Sequence, residues 1–431
     1  MNEDRAQSPR GLSRRGMLAL FGGGAAGIAA GAAGTAAILA ATGDGAHDPG
    51  LSYPFYGRHQ AGIATPAQDR MHFAAFDLAE DLSREELIEL LQDWTYAASR
   101  ITQGLEVSVS GAFGGGAYMP PDDTGEAAGI SPAGLTITFG FGRSLFEREG
   151  ERGPEDRFGL ASRMPEQFTE MPKMMNDFID RDQSAGDLCI QACSNDPQVA
   201  VHAIRNLTRI AFGRAQLRWS QLGFGRTSST STAQETPRNL FGLKDGTANL
   251  KLEQPETLDE HVWIGSGQGP AWAVGGSYLV ARRISMLIEV WDGVQLGEQE
   301  RVTGRDKKDG APLSGGTEFS EPDFAAVGED GQLMIDERSH VARVHPDNND
   351  GIRMLRRGYN FVDGNDEQGR LNAGLFFIAF VSAPERFSRV HKNMARDDLF
   401  VEYLKTTASS VFLVPPGVAD GQYIGQQLFE A

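Results

Sequence analysis

The apolar positions of this chain fall into two arrangements, short continuous runs and stretches with helical spacing, and their order sketches a fold. "MHFAAFDL" (71–78) belongs to the first kind and reads as a strand. "SREELIELLQDWTYAASRIT" (83–102) carries Leu and Ile at helical spacing, with Ser83 placed to cap an amphipathic helix. After a glycine-rich loop (111–130) come a strand in "GLTITFGFG" (134–142), another in "DLCIQACSN" (187–195) and a helix in "DPQVAVHAIRNLTRIAFG" (196–213). The second half repeats the plan. "GSYLVARRISMLIEVWDG" (276–293) offers a strand and then a helix, "GLFFIAFVS" (374–382) matches "GLTITFGFG" in character, and "SSVFLVPPG" (409–417) matches "GDLCIQACS". Two α+β halves of similar order predict duplicated ferredoxin-like units, antiparallel sheets with flanking helices. The Ser/Thr-rich stretch "RTSSTSTAQETPR" (226–238) lies between them as a loop.

Composition then restricts what such a fold does. A chain of 431 residues, 40% hydrophobic and 23% charged, is long enough for two domains with cores of their own. Its net charge of -18 and pI near 4.9 argue against a nucleic-acid partner, whose phosphates it would repel, and against anionic membrane surfaces. Cys189 and Cys193 would share one side of a strand about 13 Å apart, at ~3.3 Å per residue, too far for a disulfide. Both read as small buried apolar residues. At the N-terminus, Arg14 and Arg15 are followed by no charged residue until Asp44, through a weakly apolar Gly/Ala stretch. Residues 1–45 resemble a twin-arginine signal peptide, with small residues near a cleavage point around 40 to 46. That implies the twin-arginine translocase as partner, a periplasmic or extracellular destination with membrane association open, and a cofactor inserted before export. A permanent membrane helix is the competing reading, made poor by the glycines. "GGGAAG" (22–27) fits a dinucleotide loop but has no strand before it, and the signal explains its composition.

Chemistry is sparse by the usual motifs. Eight histidines are present without H-E-x-x-H, and G-x-S-x-G is absent, so neither a zinc protease nor an ordinary serine hydrolase is supported. His72 and His202 fall on strand or helix patterns, where a structural role is the plainer one. "NLFGLKDGTANL" (239–250) sets Asp245 between Lys244 and Gly246, in a segment whose glycines permit tight turns and close approaches. Alone, it is a turn with a solvated acid. "ERSHVARVHPDNNDGIRMLRRGYNF" (337–361) carries two histidines, a polar loop and a strand on which Arg356 and Arg357 point to opposite faces.

Taken in order, "GLKDGTANL", "PAWAVGGSYLVARRI", "GRDKKDGAPL", "SHVARVHP", "MLRRGYNF", "GLFFIAF" and "VFLVPPG" resemble the dye-decolorizing (DyP-type) haem peroxidases, in particular their exported branch, which includes deferrochelatase-like proteins. The resemblance spans about 55–425. It implies a signal peptide (1–45), an N-terminal ferredoxin-like domain (55–215) and a C-terminal one (216–431) that binds most of one haem b per chain. It assigns the proximal iron ligand to His340 and places His345, where the family more often has Asn, near a haem propionate. Asp245 becomes the distal acid–base residue and Arg356 its partner. Gly246, Thr247, Ala248, His345, Pro346 and Asp347 would line the haem, and Phe377 would shield its distal face. The acid hydrogen-bonded to the proximal histidine maps to Asp397, with the adjacent Asp398 as second choice.

These residue types suit peroxide chemistry. Ferric haem takes a neutral imidazole as strong axial donor, and a carboxylate behind that imidazole fixes its tautomer. A distal carboxylate can move a proton from one peroxide oxygen to the other, while a guanidinium stabilises the charge that builds on the departing oxygen. The expected activity is oxidation of dyes, phenolics and other one-electron donors by hydrogen peroxide. The rival is a haem-handling protein of iron uptake with a deferrochelatase-like release of iron, working with iron-uptake partners; a homo-oligomer is open. A cofactor-free ferredoxin-like structural or encapsulated protein is the third reading.

Overall fold

In a computed structural model, residues 50–150 and 153–430 are described. The expected signal peptide lies outside them. The first half begins with β1 (Arg70–Leu78) and α1 (Arg84–Ile101). Ser83 caps α1 reciprocally, its hydroxyl accepting from the Glu86 amide while the Glu86 carboxylate accepts from the Ser83 amide. Next come β2 (Thr136–Gly142), β3 (Leu188–Ser194), α2 (Pro197–Ile210) and β4 (Ala215–Arg226). Asp196 caps α2, and Pro197 occupies its first turn, where a missing N–H costs nothing. In the second half, β5 (Ser277–Met286), β6 (Tyr359–Asn365), β7 (Leu371–Val381) and β8 (Leu404–Val414) carry between them the five-residue α3 (His340–Val344) and α4 (Pro384–Asp397).

Each half has the ferredoxin-like strand order, β2-β3-β1-β4 and β8-β5-β7-β6, all antiparallel. The halves do not keep separate sheets. β8 pairs with β2 through Phe412↔Gly142 and Leu413↔Phe141, and β4 pairs with β6 through Phe224↔Asn360 and Arg226↔Tyr359, so eight strands close into a barrel. The boundary expected at 215/216 is therefore misplaced: it cuts off β4, whose register against β1 from Ala215 to Phe224 makes it the fourth strand of the first unit.

Alternation along the strands sends one set of side chains into the barrel and the other outward. Phe73, Cys189, Cys193, Trp219, Tyr359, Phe376, Ile378 and Phe412 fill the interior. Both cysteines are free and buried, as the strand spacing implied. Outside, Ala74, Phe76, Ile190 and Ala192 meet α1 and α2, burying Leu87, Leu91, Trp94 and Leu207. The corresponding outer face of the second half is covered by α4 and by the long excursion between β5 and β6, and the site lies there.

Candidate active site

The Asp245 loop is built by short-range bonds. The Gly242 amide closes a turn onto the Asn239 carbonyl at 2.9 Å, with Gly242 at φ +76°. Gly246 is also left-handed (φ +83°), and a Cβ there would stand 2.9 Å from Ser228 Cα. Glycine is thus needed twice over, for conformation and for approach. The turn aims Asp245 at Arg356, Oδ1 to Nη1 2.9 Å, while Asn239 Nδ2 donates to Asp245 Oδ2 at 3.1 Å.

Arg356 comes from a two-residue strand, Leu355–Arg356, that pairs with β7 at Ala379 and Phe380. Its neighbour Arg357 faces the other way, as expected from strand alternation. It is fully buried and donates to the Thr65 carbonyl at 2.5 Å and to Gln68. Arg356 is held in register by Asn249. That buried amide donates to the Arg356 carbonyl at 2.8 Å and to the Ser229 carbonyl at 3.0 Å, and accepts from the Arg356 amide at 2.7 Å. Lys251 Nζ lies on the same Ser229, 2.8 Å from its carbonyl and 2.5 Å from its hydroxyl. Burial, and then the Arg356 charge, pushes its amine down to about 8. Thr247 donates to Glu318 at 3.2 Å, and Glu318 also pairs with Lys244. Ala248 is exposed.

His340 opens α3. Its Nδ1 stands 2.8 Å from Asp398 Oδ2, and the Asp398 side chain is fully buried. The other oxygen of Asp398 accepts from the Phe400 amide at 2.8 Å, so both oxygens are engaged. Asp397, the first choice for this partner, is not there. As the last residue of α4 it points outward to Arg343 Nη2 at 2.8 Å, because the chain leaves the helix at Asp398 (φ -66°, ψ 121°) and turns the next side chain inward. With Nδ1 taken, His340 Nε2 has no protein hydrogen-bond partner among the described residues, and the ring is about one-third exposed.

The outer face of β7 joins the two clusters. Arg356 is registered on Ala379, Phe377 lies two residues along, and Leu375 two further, packed against the cluster containing Phe400. The Phe400 ring is 5.0 Å from that of His340. Phe377 and Leu375 are half-buried, and Phe377 touches Phe387 at 5.7 Å. His345 closes α3, with Nδ1 accepting from the Asp347 amide at 3.3 Å and Nε2 3.4 Å from Glu321. Pro346 is half-buried, and the Asp347 side chain is exposed. Sequence reasoning missed Asn239, Asn249 and Glu318. The two asparagines stand in the quoted stretch itself, but only the folded contacts reveal them as supports of Asp245 and Arg356.

An imidazole fixed from behind by a buried carboxylate, with its far nitrogen unengaged, is the donor set of an axial haem ligand. Half-buried apolar side chains on β7 and an acid–guanidinium pair complete a site that fits the group. Residues 60–225 match the family model "Dyp-type peroxidase, N-terminal" and 236–419 match "Dyp-type peroxidase, C-terminal". The protein belongs to the Dyp-type peroxidase family. A deferrochelatase of Yersinia pseudotuberculosis is 37% identical over 387 residues, 88% of this chain and 85% of that one. Ferric DtpA from Streptomyces lividans superposes with a TM-score of 0.79 at 37% identity, covering 89% of this chain and 98% of that one. The DyP-type peroxidase from Cellulomonas bogoriensis gives 0.78 at 34% identity, with 89% and 99% covered. In this Dyp-type peroxidase the Asp245–Arg356 pair and the His340–Asp398 couple thus sit on a family scaffold.

Proposed function

We propose that the protein is an exported haem b peroxidase that uses hydrogen peroxide to oxidise dyes, phenolics and other small one-electron donors. The observation that carries this is the Asp245–Arg356 pair, 2.9 Å apart, joined along β7 to a His340 whose Nδ1 is held by Asp398 at 2.8 Å. Haem, when bound, supplies the redox equivalents for breaking the peroxide O–O bond and oxidising donors in turn. His340 Nε2 would hold the haem iron, and Asp398 keeps the ring proton on Nδ1. Asp245 takes the proton from one peroxide oxygen and returns it to the other. Arg356 faces the oxygen on which charge builds. Phe377 and Leu375 present an apolar wall that excludes water, and His345 lies at the rim, suited to a propionate.

Purified protein should show a Soret band, and His340→Ala should abolish or weaken haem retention while His345→Ala keeps it. Arg356→Leu should slow the stopped-flow reaction of the ferric protein with peroxide by two to three decades, since such a donor is worth roughly 3–4 kcal/mol. Asp245→Asn should slow it less and respond to added carboxylate buffer. Wild-type rates in both variants would remove the pair from the mechanism. The name of the Yersinia relative favours a second reading, release of iron from haem; its signature is metal-free porphyrin after incubation with haem.

Export rests on Arg14 and Arg15 and the uncharged stretch after them. Among the described residues no helix is long and apolar enough to cross a membrane. Changing both arginines to lysine should leave haem-loaded precursor in the cytoplasm, and unimpaired export of that variant would point to another route.

A further inference from the structure

A second polar cluster lies in the first half, outside everything the peroxidase reading uses. The glycine-rich segment after α1 folds over a cavity of about 260 Å³ bordered by Ile101, Glu106, Asp123, Val199 and His202. Asp123 and His202 are both buried, at 1% and 6% exposure, in a cavity whose lining is mostly apolar side chains and glycines, with Glu106 and Ser131 beside them. Two carboxylates and an imidazole converge here, and donor atoms of Asp123, Glu126 and His202 all lie within 4.8 Å of one another. His202 Nε2 is 3.6 Å from Asp123 Oδ2, and His202 Nδ1 is 3.4 Å from Glu126 Oε2.

These contacts are too long to be hydrogen bonds, although the groups are buried together. Nε2 of His202 has no hydrogen-bond partner among the described residues; Nδ1 has Asn206 Nδ2 at 3.0 Å. Both Glu126 oxygens are sealed from solvent, with Arg205 Nη1 3.3 Å from Oε1 on a side chain that is itself 60% exposed. Asp123 is fixed by two amides, Val107 to Oδ2 at 2.9 Å and Gly125 to Oδ1 at 2.8 Å. The site is therefore positioned by its backbone, brings two carboxyl groups together and faces His202 Nε2 towards one of them.

We propose that Asp123, Glu126 and His202 form a binding site for a divalent first-row transition cation, Zn(II) being the probe. A tetrahedral ion with bonds of about 2.0–2.2 Å places its ligands roughly 3.4 Å apart, close to the spacing across which Nε2 and Asp123 Oδ2 face each other. Asn206 Nδ2 donates to His202 Nδ1 and leaves the ring proton on Nε2, so an ion taking the Nε2 lone pair moves that proton to Nδ1 and displaces the Asn206 amide from it. The imidazole selects against Ca²⁺ and Mg²⁺, which take oxygen ligands. The cavity leaves room for water to complete the coordination. Because Asp123 and Glu126 come from the loop and His202 from α2, a bound ion would fasten the loop to the helix, some distance in sequence from the haem half.

The test uses the haem-loaded full chain. Calorimetric titration with Zn(II) should show one saturable equivalent, and elemental analysis after dialysis a zinc-to-iron ratio near one. His202→Gln and Glu126→Gln should each weaken binding at least tenfold and leave peroxide turnover unchanged. Bound Zn(II) should also slow proteolytic cleavage within residues 106–132. Glu126 is partly exposed, so its variant keeps the test open if His202→Gln misfolds. Absence of saturable binding, or a full equivalent retained in both variants, overturns the proposal.

Discussion

A single step of chain at the end of α4 separates an exposed carboxylate on Arg343 from a buried one on His340. Asp398→Asn should remove the acceptor that holds the Nδ1 proton and weaken the electron donation of His340. The iron–imidazole stretch in resonance Raman should fall and the haem reduction potential should rise, while Asp397→Asn leaves both in place. The reverse pattern would restore Asp397 to the role first expected of it. This is also where the sequence was least legible. Asp245, Arg356 and His340 stand in motifs whose spacing is local and fixed. The choice between Asp397 and Asp398 depends on which residue breaks the helix, a matter of tertiary contact to α3. Asn249 was illegible for a related reason: its partners, Ser229 and Arg356, are 20 and 107 residues away.

Among elements, the excursion after β5 adds Trp291 to a chain of aromatic rings that ends at His340. Trp291 stacks on Phe241 (4.6 Å, 22°), meets Phe400 at 5.7 Å and Tyr403 at 4.9 Å, and Phe400 reaches His340 at 5.0 Å. Donors too bulky to reach a buried haem would pass electrons along such rings, and the other aromatic side chains that could serve are placed differently. Trp219 and Tyr359 lie in the barrel, Trp263 stacks on His59 and Trp272 on Phe146. Trp291→Phe should therefore depress dye turnover and leave the peroxide reaction intact, whereas Phe at Trp263 or Trp272 should change neither. Equal dye turnover in all three would mean that donors reach the haem edge directly. The strands and helices that frame this region were readable from hydrophobic period. The excursion was not, since its short helices and turns are held by contacts rather than by a repeat of their own.

At the scale of the molecule, two buried histidines make stability depend on pH. Burial pushes His72 down to about 4, and burial reinforced by the Arg282 charge pushes His391 down to about 3. In the unfolded chain both titrate near 6.5. Below that value the unfolded state binds protons that the folded state refuses, so stability falls as pH drops from 6.5 towards 4 and is unaffected above 6.5. At about 1.4 kcal/mol per unit, each histidine removes roughly 3 kcal/mol by pH 4. Tm measured against pH should decline over that window, and His391→Leu should flatten the decline; an equally steep curve would assign it to other groups. The two halves themselves were visible in the sequence as a repeated order of elements. Their closure was not, because the seams rest on a few pairs between strands far apart in the chain. Such a ring has no outermost strand, and it cannot part along its middle as a two-lobed clamshell does without breaking β8 from β2 and β4 from β6 together. On the proposed reading, peroxide and donors would enter past the loops over the outer face of the second half, not by the halves swinging open.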